Sequence, residues 1–334
     1  MIEKQIKTPN LSTTAHFPLK EQFALRIVFM GTPDFAVASL DKLVSEGCNI
    51  VGVVTAPDKA AGRGMQLQQS AVKKYAVEKG LHFLQPEKLK NPEFLEELKK
   101  LQADLQIVVA FRMLPEVVWN MPPMGTVNLH GSLLPQYRGA APINWAIING
   151  EKITGVTTFK LQHEIDTGDI LLSAPIEIGS AANAGELHDT MKEIGAALLL
   201  QTVKGLSSGS LLEKPQIQLS VDNNGELKHA PKIFTETCQV DWNKPVRQVQ
   251  NLIRGLSPYP TAFSFLDGKK LKIYKSEKIK TTTAAAPGTY ETDKKTFLQF
   301  ACTDGYISIT ELQLEGKKKM AIADFLRGYR RQES

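Results

Sequence analysis

Short apolar runs alternate with amphipathic stretches over the first two thirds of the chain. Leu25 to Met30 is apolar and ends at Gly31-Thr32-Pro33-Asp34, after which Phe35, Val37, Leu40, Leu43 and Val44 recur at helical spacing; a strand, a turn and a helix are predicted. Ile50 to Thr55 reads as a second buried strand, Ala71 to Lys79 and Pro92 to Leu101 as helices, and Leu105 to Ala110 as a further strand. The alternation predicts an α/β domain with a Rossmann-like parallel sheet covered by helices on both faces. Such sheets bind ligands at the carboxyl ends of their strands, and Gly31-Thr32-Pro33, Ala56 to Gln69, Phe111 to Pro115 and Asn128 to Pro142 all follow strands. Thr154 to Lys160 and Ile170 to Ile178 alternate like paired strands, and Gly185 to Val203 reads as a long helix closing the domain.

A Ser- and Gly-rich break at Gly205 to Gly209 opens a segment without sustained periodicity that runs to about His229 and reads as a linker. Beyond it, Pro245 to Ile253 is helical in pattern, while Ala262 to Leu266, Leu271 to Tyr274, Phe297 to Cys302 and Tyr306 to Leu314 read as short strands between turns. That spacing predicts a small β-barrel domain. The expected division is a disordered extension over 1–24, a first domain over 25–206, a linker over 207–229 and a second domain over 230–334. The extension lacks the apolar core of a secretory signal and the arginines of a mitochondrial presequence.

A chain of 334 residues suits two hydrophobic cores. No apolar run approaches the roughly 18 residues that span a bilayer, so no membrane is expected. Three cysteines (Cys48, Cys238, Cys302), odd in number and far apart, exclude a disulfide framework or a thiolate zinc site, and a reducing, cytoplasmic setting is expected. The net charge of +5 is uneven: residues 207–334 carry 20 Lys and Arg against 14 Asp and Glu, whereas residues 1–206 carry 20 against 21. A basic second domain suits a polyanionic partner. A lysine-rich solvated surface would give the same count, and Lys269-Lys270, Lys294-Lys295 and Lys317-Lys318-Lys319 do lie near turn signals. Gly31-Thr32-Pro33 lacks the spaced glycines of a dinucleotide fingerprint, so NAD binding has no support.

The chemistry concentrates in Val127-Asn128-Leu129-His130-Gly131-Ser132-Leu133-Leu134-Pro135-Gln136-Tyr137-Arg138-Gly139-Ala140-Ala141-Pro142. Asn128 and His130 stand two apart at a strand end, so their side chains leave one face and converge on one reacting atom. Glycine and proline in the rest of the run suit a tight loop around a ligand. A carboxylate follows in Asp166-Thr167-Gly168-Asp169, where the residues alone leave either aspartate as the working one, or both as turn caps.

Taken with Ile165-Asp166-Thr167-Gly168-Asp169, this run resembles the signature of the folate-dependent formyltransferase family, and the likeness extends from about Ile27 to the C-terminus. The resemblance implies a formyltransferase domain followed by an OB-like β-barrel, whose start matches at His229-Ala230-Pro231-Lys232-Ile233, Asp241-Trp242 and Pro258-Tyr259-Pro260. It picks Asn128, His130 and Asp166 as the catalytic group, with no metal. It implies 10-formyltetrahydrofolate as formyl donor, with Ser132, Leu133, Leu134 and Pro135 lining its site and Phe111 and Met113 contacting the pterin. Arg112 stands where the family more commonly has glycine. The loop Ala56-Pro57-Asp58-Lys59-Ala60-Ala61-Gly62-Arg63-Gly64 is similar to the insertion with which one branch of the family reaches the acceptor arm of initiator methionyl-tRNA. On that reading Arg63 and Lys59, with Lys232, Lys269 and Lys270 of the barrel, bind tRNA, and the formyl group goes to the α-amino group of methionine. The implied partners are initiator methionyl-tRNA and folate, with no obligate protein partner and a monomeric state. A sugar or ribonucleotide formyltransferase, which Ala141-Pro142-Ile143-Asn144-Trp145 also resembles, a formyltetrahydrofolate hydrolase, and a catalytically inert RNA-binding module are the rival readings. The Arg63 loop joined to a basic barrel sets the chain apart from the first two, and intact Asn128, His130 and Asp166 from the third.

Overall fold

The computed structural model describes residues 25–61, 66–216, 226–281 and 285–329, with the side chains of 60, 61 and 66 excepted. The expected extension over 1–24 and Arg63 therefore lie outside the described residues.

The first domain is built on β1 (Ile27–Gly31), α1 (Asp34–Ser45), β2 (Ile50–Val54), β3 (Lys59–Ala61), β4 (Gln66–Gln68), α2 (Ala71–Glu78), β5 (Phe83–Leu84), α3 (Pro92–Lys100), β6 (Leu105–Val109), α4 (Glu116–Trp119), β7 (Thr126–His130), β8 (Arg138–Gly139), α5 (Pro142–Ile148), β9 (Ile153–Lys160), β10 (Ile170–Glu177) and α6 (Ala184–Ser207). Seven strands form one sheet in the order β10-β9-β7-β6-β1-β2-β5. The pairings β2–β5, β1–β2, β1–β6 and β6–β7 are parallel, and β7–β9 and β9–β10 antiparallel. The central strands are largely apolar, with Gln106, Thr126, Asn128 and His130 the polar exceptions, because both their faces are covered: Ile27, Phe29, Ile107, Val127 and Leu129 pack on one side, Val28, Met30, Val54 and Val108 on the other. Fully burying one such side chain contributes roughly 1.5–3 kcal/mol. Local chemistry sets the helix starts. The Ser70 hydroxyl accepts from the Lys73 N–H at 3.0 Å, the Asn91 side chain from the Glu93 N–H at 3.0 Å ahead of Pro92, and Asn183 and Glu186 form a reciprocal capping box before the 24-residue α6.

After α6 the chain does not leave at once as a free spacer. Lys214 exchanges two backbone hydrogen bonds of 2.9 Å with Ile170, and Gln216 is buried in the first domain. The second domain holds β11 (His229–Ala230), α7 (Val246–Gly255), β12 (Ala262–Leu266), β13 (Lys269–Lys280), β14 (Tyr290–Thr292), β15 (Leu298–Cys302), β16 (Gly305–Leu314), β17 (Met320–Ala321) and α8 (Ile322–Gly328). Its antiparallel sheet, β12-β13-β16-β15-β14 with β17 on β16, curls into an OB-like half-barrel around a separate core in which Trp242 stacks on Phe300 at 4.6 Å. Helix α5 docks on α7, with the Asn144 amide donating to the Gly255 carbonyl at 2.7 Å. The β11 segment leaves the second domain to pair in parallel with β8. Among the described residues, no helix is long and apolar enough to cross a membrane.

Candidate active site

Strand alternation puts Val127 and Leu129 into the core under α6 and turns Asn128 and His130 to the opposite face. Asn128 is half-buried and makes no protein hydrogen bond through its amide among the described residues. His130 is 7% exposed, its ring edge-on to Phe159. Its Nε2 lies 2.9 Å from the Tyr137 carbonyl oxygen, which can only accept. The neutral ring therefore carries its proton on Nε2 and keeps the Nδ1 lone pair, which faces the Asp166 carboxylate at 3.7 Å. That gap is longer than a hydrogen bond, so an added proton on Nδ1, or a donor set between the two groups, would satisfy both.

Asp166 comes from the connection between β9 and β10. Since β9 runs antiparallel to β7, the 161–169 connection begins beside the start of β7 and folds back across the face that carries Asn128 and His130. The Asp166 backbone is left-handed (φ 56°), a conformation aspartate tolerates better than most residues, and the residue is 9% exposed. The Gly139 N–H donates to Asp166 Oδ2 at 2.9 Å. Glycine is required at 139 because φ is +123° and an added Cβ would stand 2.5 Å from the Ala230 carbonyl oxygen across the β8–β11 pair. Among the described residues no contact of this kind reaches the Asp169 carboxylate, and Asp166 is the aspartate that the fold brings to His130.

The other expected site residues are distributed differently. Ser132 is fully buried and its hydroxyl donates to the Gln136 carbonyl at 2.6 Å, so it shapes the loop and presents no side chain to a ligand. Leu134 packs inward with Phe159 and Ile170, Pro135 is buried, and Leu133 lies over Gly155, so the 132–135 run faces a ligand chiefly with its backbone. Phe111 is half-buried and Met113 is 75% exposed. Arg112 ties their loop down by donating to the carbonyls of Pro86 and Glu87, the latter at 2.8 Å, and lies against the Phe111 ring. Lys59 is exposed on β3, whose hairpin with β4 is anchored where Asp58 meets Lys73 at 2.5 Å and Gln85 at 2.9 Å. Lys232, Lys269 and Lys270 are remote in sequence from the pair just described and lie on the second domain, Lys232 over the Phe234 ring at 5.5 Å and Lys270 over the Phe263 ring at 3.6 Å.

Three contributors were missed in the sequence: Tyr137, Glu151 and Gln216. Tyr137, itself left-handed (φ 60°), holds His130 through its carbonyl, while its hydroxyl donates to Glu151 at 2.5 Å and its N–H to the Lys228 carbonyl at 2.6 Å. Burial, then the Glu151 carboxylate, push the Tyr137 phenol well above its ordinary range, so it stays a donor. A buried tyrosine next to Arg-Gly was the only available signal, and it does not distinguish core from support.

The profile described as "Formyl transferase" matches residues 25–203, and that described as "Formyl transferase, C-terminal domain" matches residues 232–330. The methionyl-tRNA formyltransferase of Bacteroides fragilis is 54% identical over 310 residues, covering 91% of this chain and 95% of that protein. That of Parabacteroides distasonis is 55% identical over 312 residues, covering 92% and 96%. Among solved structures, HypX from Aquifex aeolicus in complex with tetrahydrofolic acid superposes with a TM-score of 0.61 at 20% identity, over 90% of this chain and 47% of that one. The N-formyltransferase from Helicobacter canadensis in complex with folinic acid and dTDP-3-aminofucose does so at 0.65 and 19%, over 89% and 100%. At such identities the structures speak for the fold alone.

Proposed function

The chain belongs to the formyl transferase family, and from that premise we propose that it moves the formyl group of 10-formyltetrahydrofolate onto the α-amino group of the methionine carried by initiator methionyl-tRNA. The observation that carries the reading is the facing of His130 Nδ1 and Asp166 Oδ2 across 3.7 Å, beside the unpartnered amide of Asn128. The residues fit the donor: the strand end leaves one amide NH₂ open for a carbonyl oxygen, and the 132–135 loop past it presents backbone groups over side chains packed beneath. When bound, the donor supplies a formyl group attached to nitrogen, ready for attack by an amine. Asn128 Nδ2 donates to the formyl oxygen as negative charge develops there. An α-ammonium group titrates near 7.7–8.0, so its proton passes to His130 Nδ1 with little driving force required, and Asp166 stabilises the resulting imidazolium. As the new C–N bond forms and the formyl carbon's bond to the donor nitrogen breaks, this Nδ1 proton goes to the departing nitrogen and the second proton of the attacking amine is released to solvent. The Nε2 bond to Tyr137 keeps the ring in the one tautomer that allows this.

Purified protein incubated with 10-formyltetrahydrofolate and methionyl-tRNA is expected to yield formylmethionyl-tRNA. Folate consumed without that product would replace the reading with a hydrolase or with another amine acceptor. In the same assay Asn128→Ala is expected to lower kcat by about 10²–10³, the effect of removing one oxyanion donor, with KM for the donor little changed. A loss under tenfold would take Asn128 out of this role.

The tRNA acts as the polyanion that the basic second domain suits, with Lys59 of β3 and Arg63, four residues on in sequence, engaging its acceptor end and Lys232, Lys269 and Lys270 its backbone. Cations laid on aromatic rings, as at Lys270 and Phe263, and the exposed rings of Phe234 and Phe265 suit a nucleic-acid surface. Reversing Lys269 and Lys270 to Glu should weaken tRNA binding and flatten its salt dependence, leaving kcat at saturating tRNA intact. Unchanged binding at low salt would remove this surface. On this reading the protein acts as a monomer in the cytoplasm, where initiator tRNA is charged.

A further inference from the structure

Resting on the reading of Asp166 and His130 as the proton-handling pair, we propose that Gln216 is a positioning residue that locks Asp166 in its working conformation. Gln216 is 3% exposed, and both ends of its amide are used. Its Nε2 donates to the carbonyls of Asp166 and Gly168, at 3.0 and 2.7 Å, closing the turn between them. Its Oε1 accepts from Nε and Nη2 of Arg138, at 3.1 and 2.6 Å. Burial lowers the pKa of the Arg138 guanidinium, and the Asp166 and Glu164 carboxylates oppose this, so the fork stays cationic and its hydrogen bonds to Oε1 are charge-assisted.

The contacts form a closed ring through three segments distant in sequence. Arg138 holds Gln216, Gln216 holds the Asp166 backbone, and the residue after Arg138 holds the Asp166 carboxylate through its N–H. Left-handed aspartate is an uphill conformation that persists only where its surroundings over-determine it. A glutamine suits this position because its NH₂ supplies two donors for two carbonyls while its oxygen still has lone pairs for the arginine fork. The segment that presents it is fixed at both ends of the 161–169 connection: Glu213 pairs with Lys160 at 2.7 Å and Lys214 with Ile170. A stretch of chain between the two domains therefore sets the geometry of the site.

The test is a double-mutant cycle read in single-turnover formylation by the full-length protein. Gln216→Met keeps the volume and removes every hydrogen bond; Gln216→Glu keeps an acceptor for Arg138 but loses the two donors to the turn. Each is expected to lower kcat on the order of 10²-fold, with KM for donor and tRNA within about threefold, as misplacement of one reacting group does. In an Asp166→Ala background the Gln216 substitutions are expected to add less than about twofold, since a residue acting through Asp166 has nothing left to position. A purely structural glutamine would give additive losses in that background, and additivity overturns the proposal. So does near-parental kcat in a folded Gln216→Met; if that variant does not fold, Gln216→Glu decides by the same criteria. Should Asp166→Ala alone keep its turnover, the underlying assignment of the site fails, a result distinguishable from failure of the glutamine's role.

Discussion

His130→Ala is expected to lose about 10²–10⁴ in turnover while still folding and binding tRNA, the range a positioned general acid–base group supplies. The ring does two jobs through two nitrogens. Nε2 donates to the Tyr137 carbonyl, a structural bond in a buried setting, and Nδ1 faces Asp166, where the proposed proton transfer takes place. Alanine removes both and leaves the Tyr137 carbonyl without a donor, which costs about 1–3 kcal/mol of stability. His130→Gln separates the two jobs, since its NH₂ can still reach that carbonyl but offers no basic nitrogen toward Asp166. Both variants should be inactive and only the alanine measurably less stable, by comparison of single-turnover rates with thermal midpoints. If the glutamine variant keeps more than a tenth of parental turnover, His130 is not the proton carrier.

The second large effect falls on stability and activity together. A Cβ added at Gly168 would sit well inside contact distance of the Lys160 carbonyl oxygen and carbon. Neither side can yield cheaply. Lys160 is held in the sheet opposite Val127, and its N–H donates to the Asp169 carbonyl at 3.0 Å, one residue beyond the clash. Gly168→Ala therefore has to open the connection that carries Asp166. Overpacking of this kind costs about 3 kcal/mol or more, which in a domain of this size lowers the melting midpoint by roughly 6–12 °C. Turnover of the folded fraction should drop at least 10²-fold. Gly179→Ala, where the added carbon meets only Ala182 at 3.6 Å, serves as the near-neutral control. Equal melting midpoints for the two variants would show that the close approach at Gly168 is not structurally important.

Reading the chain alone went furthest where one interaction dominates over a few consecutive residues. The β1, β2 and β6 runs were visible as largely apolar segments, β7 by its strand end at Asn128 and His130, and α2, α3 and α6 from their residue pattern, within a few residues of the observed ends. Strand β13 shows the limit. Leu271 to Tyr274 was the part expected as strand, but the strand continues to Lys280, because β16 pairs with it through backbone groups although its side chains past Tyr274 are largely polar. A hydrogen-bonded ladder that buries little leaves no apolar signature to read. The short β3–β4 and β8–β11 pairings were invisible for the same reason.

The division within the site follows the same physics. The sequence by itself determined that Asn128 and His130 share a face, since the two-residue repeat of a strand is a local property, and family resemblance supplied Asp166 as their companion. Only the tertiary structure decided how they work together. The backward fold of the 161–169 connection sets the distance from Asp166 to His130, and the carbonyl of Tyr137 sets which nitrogen keeps its lone pair. The glutamine that steadies the aspartate comes from beyond the end of α6, in a segment whose composition reads as linker. Hydrogen bonds between backbone carbonyls and side chains 50 residues away depend on where the chain returns, and no local pattern of hydrophobic and polar residues encodes that return.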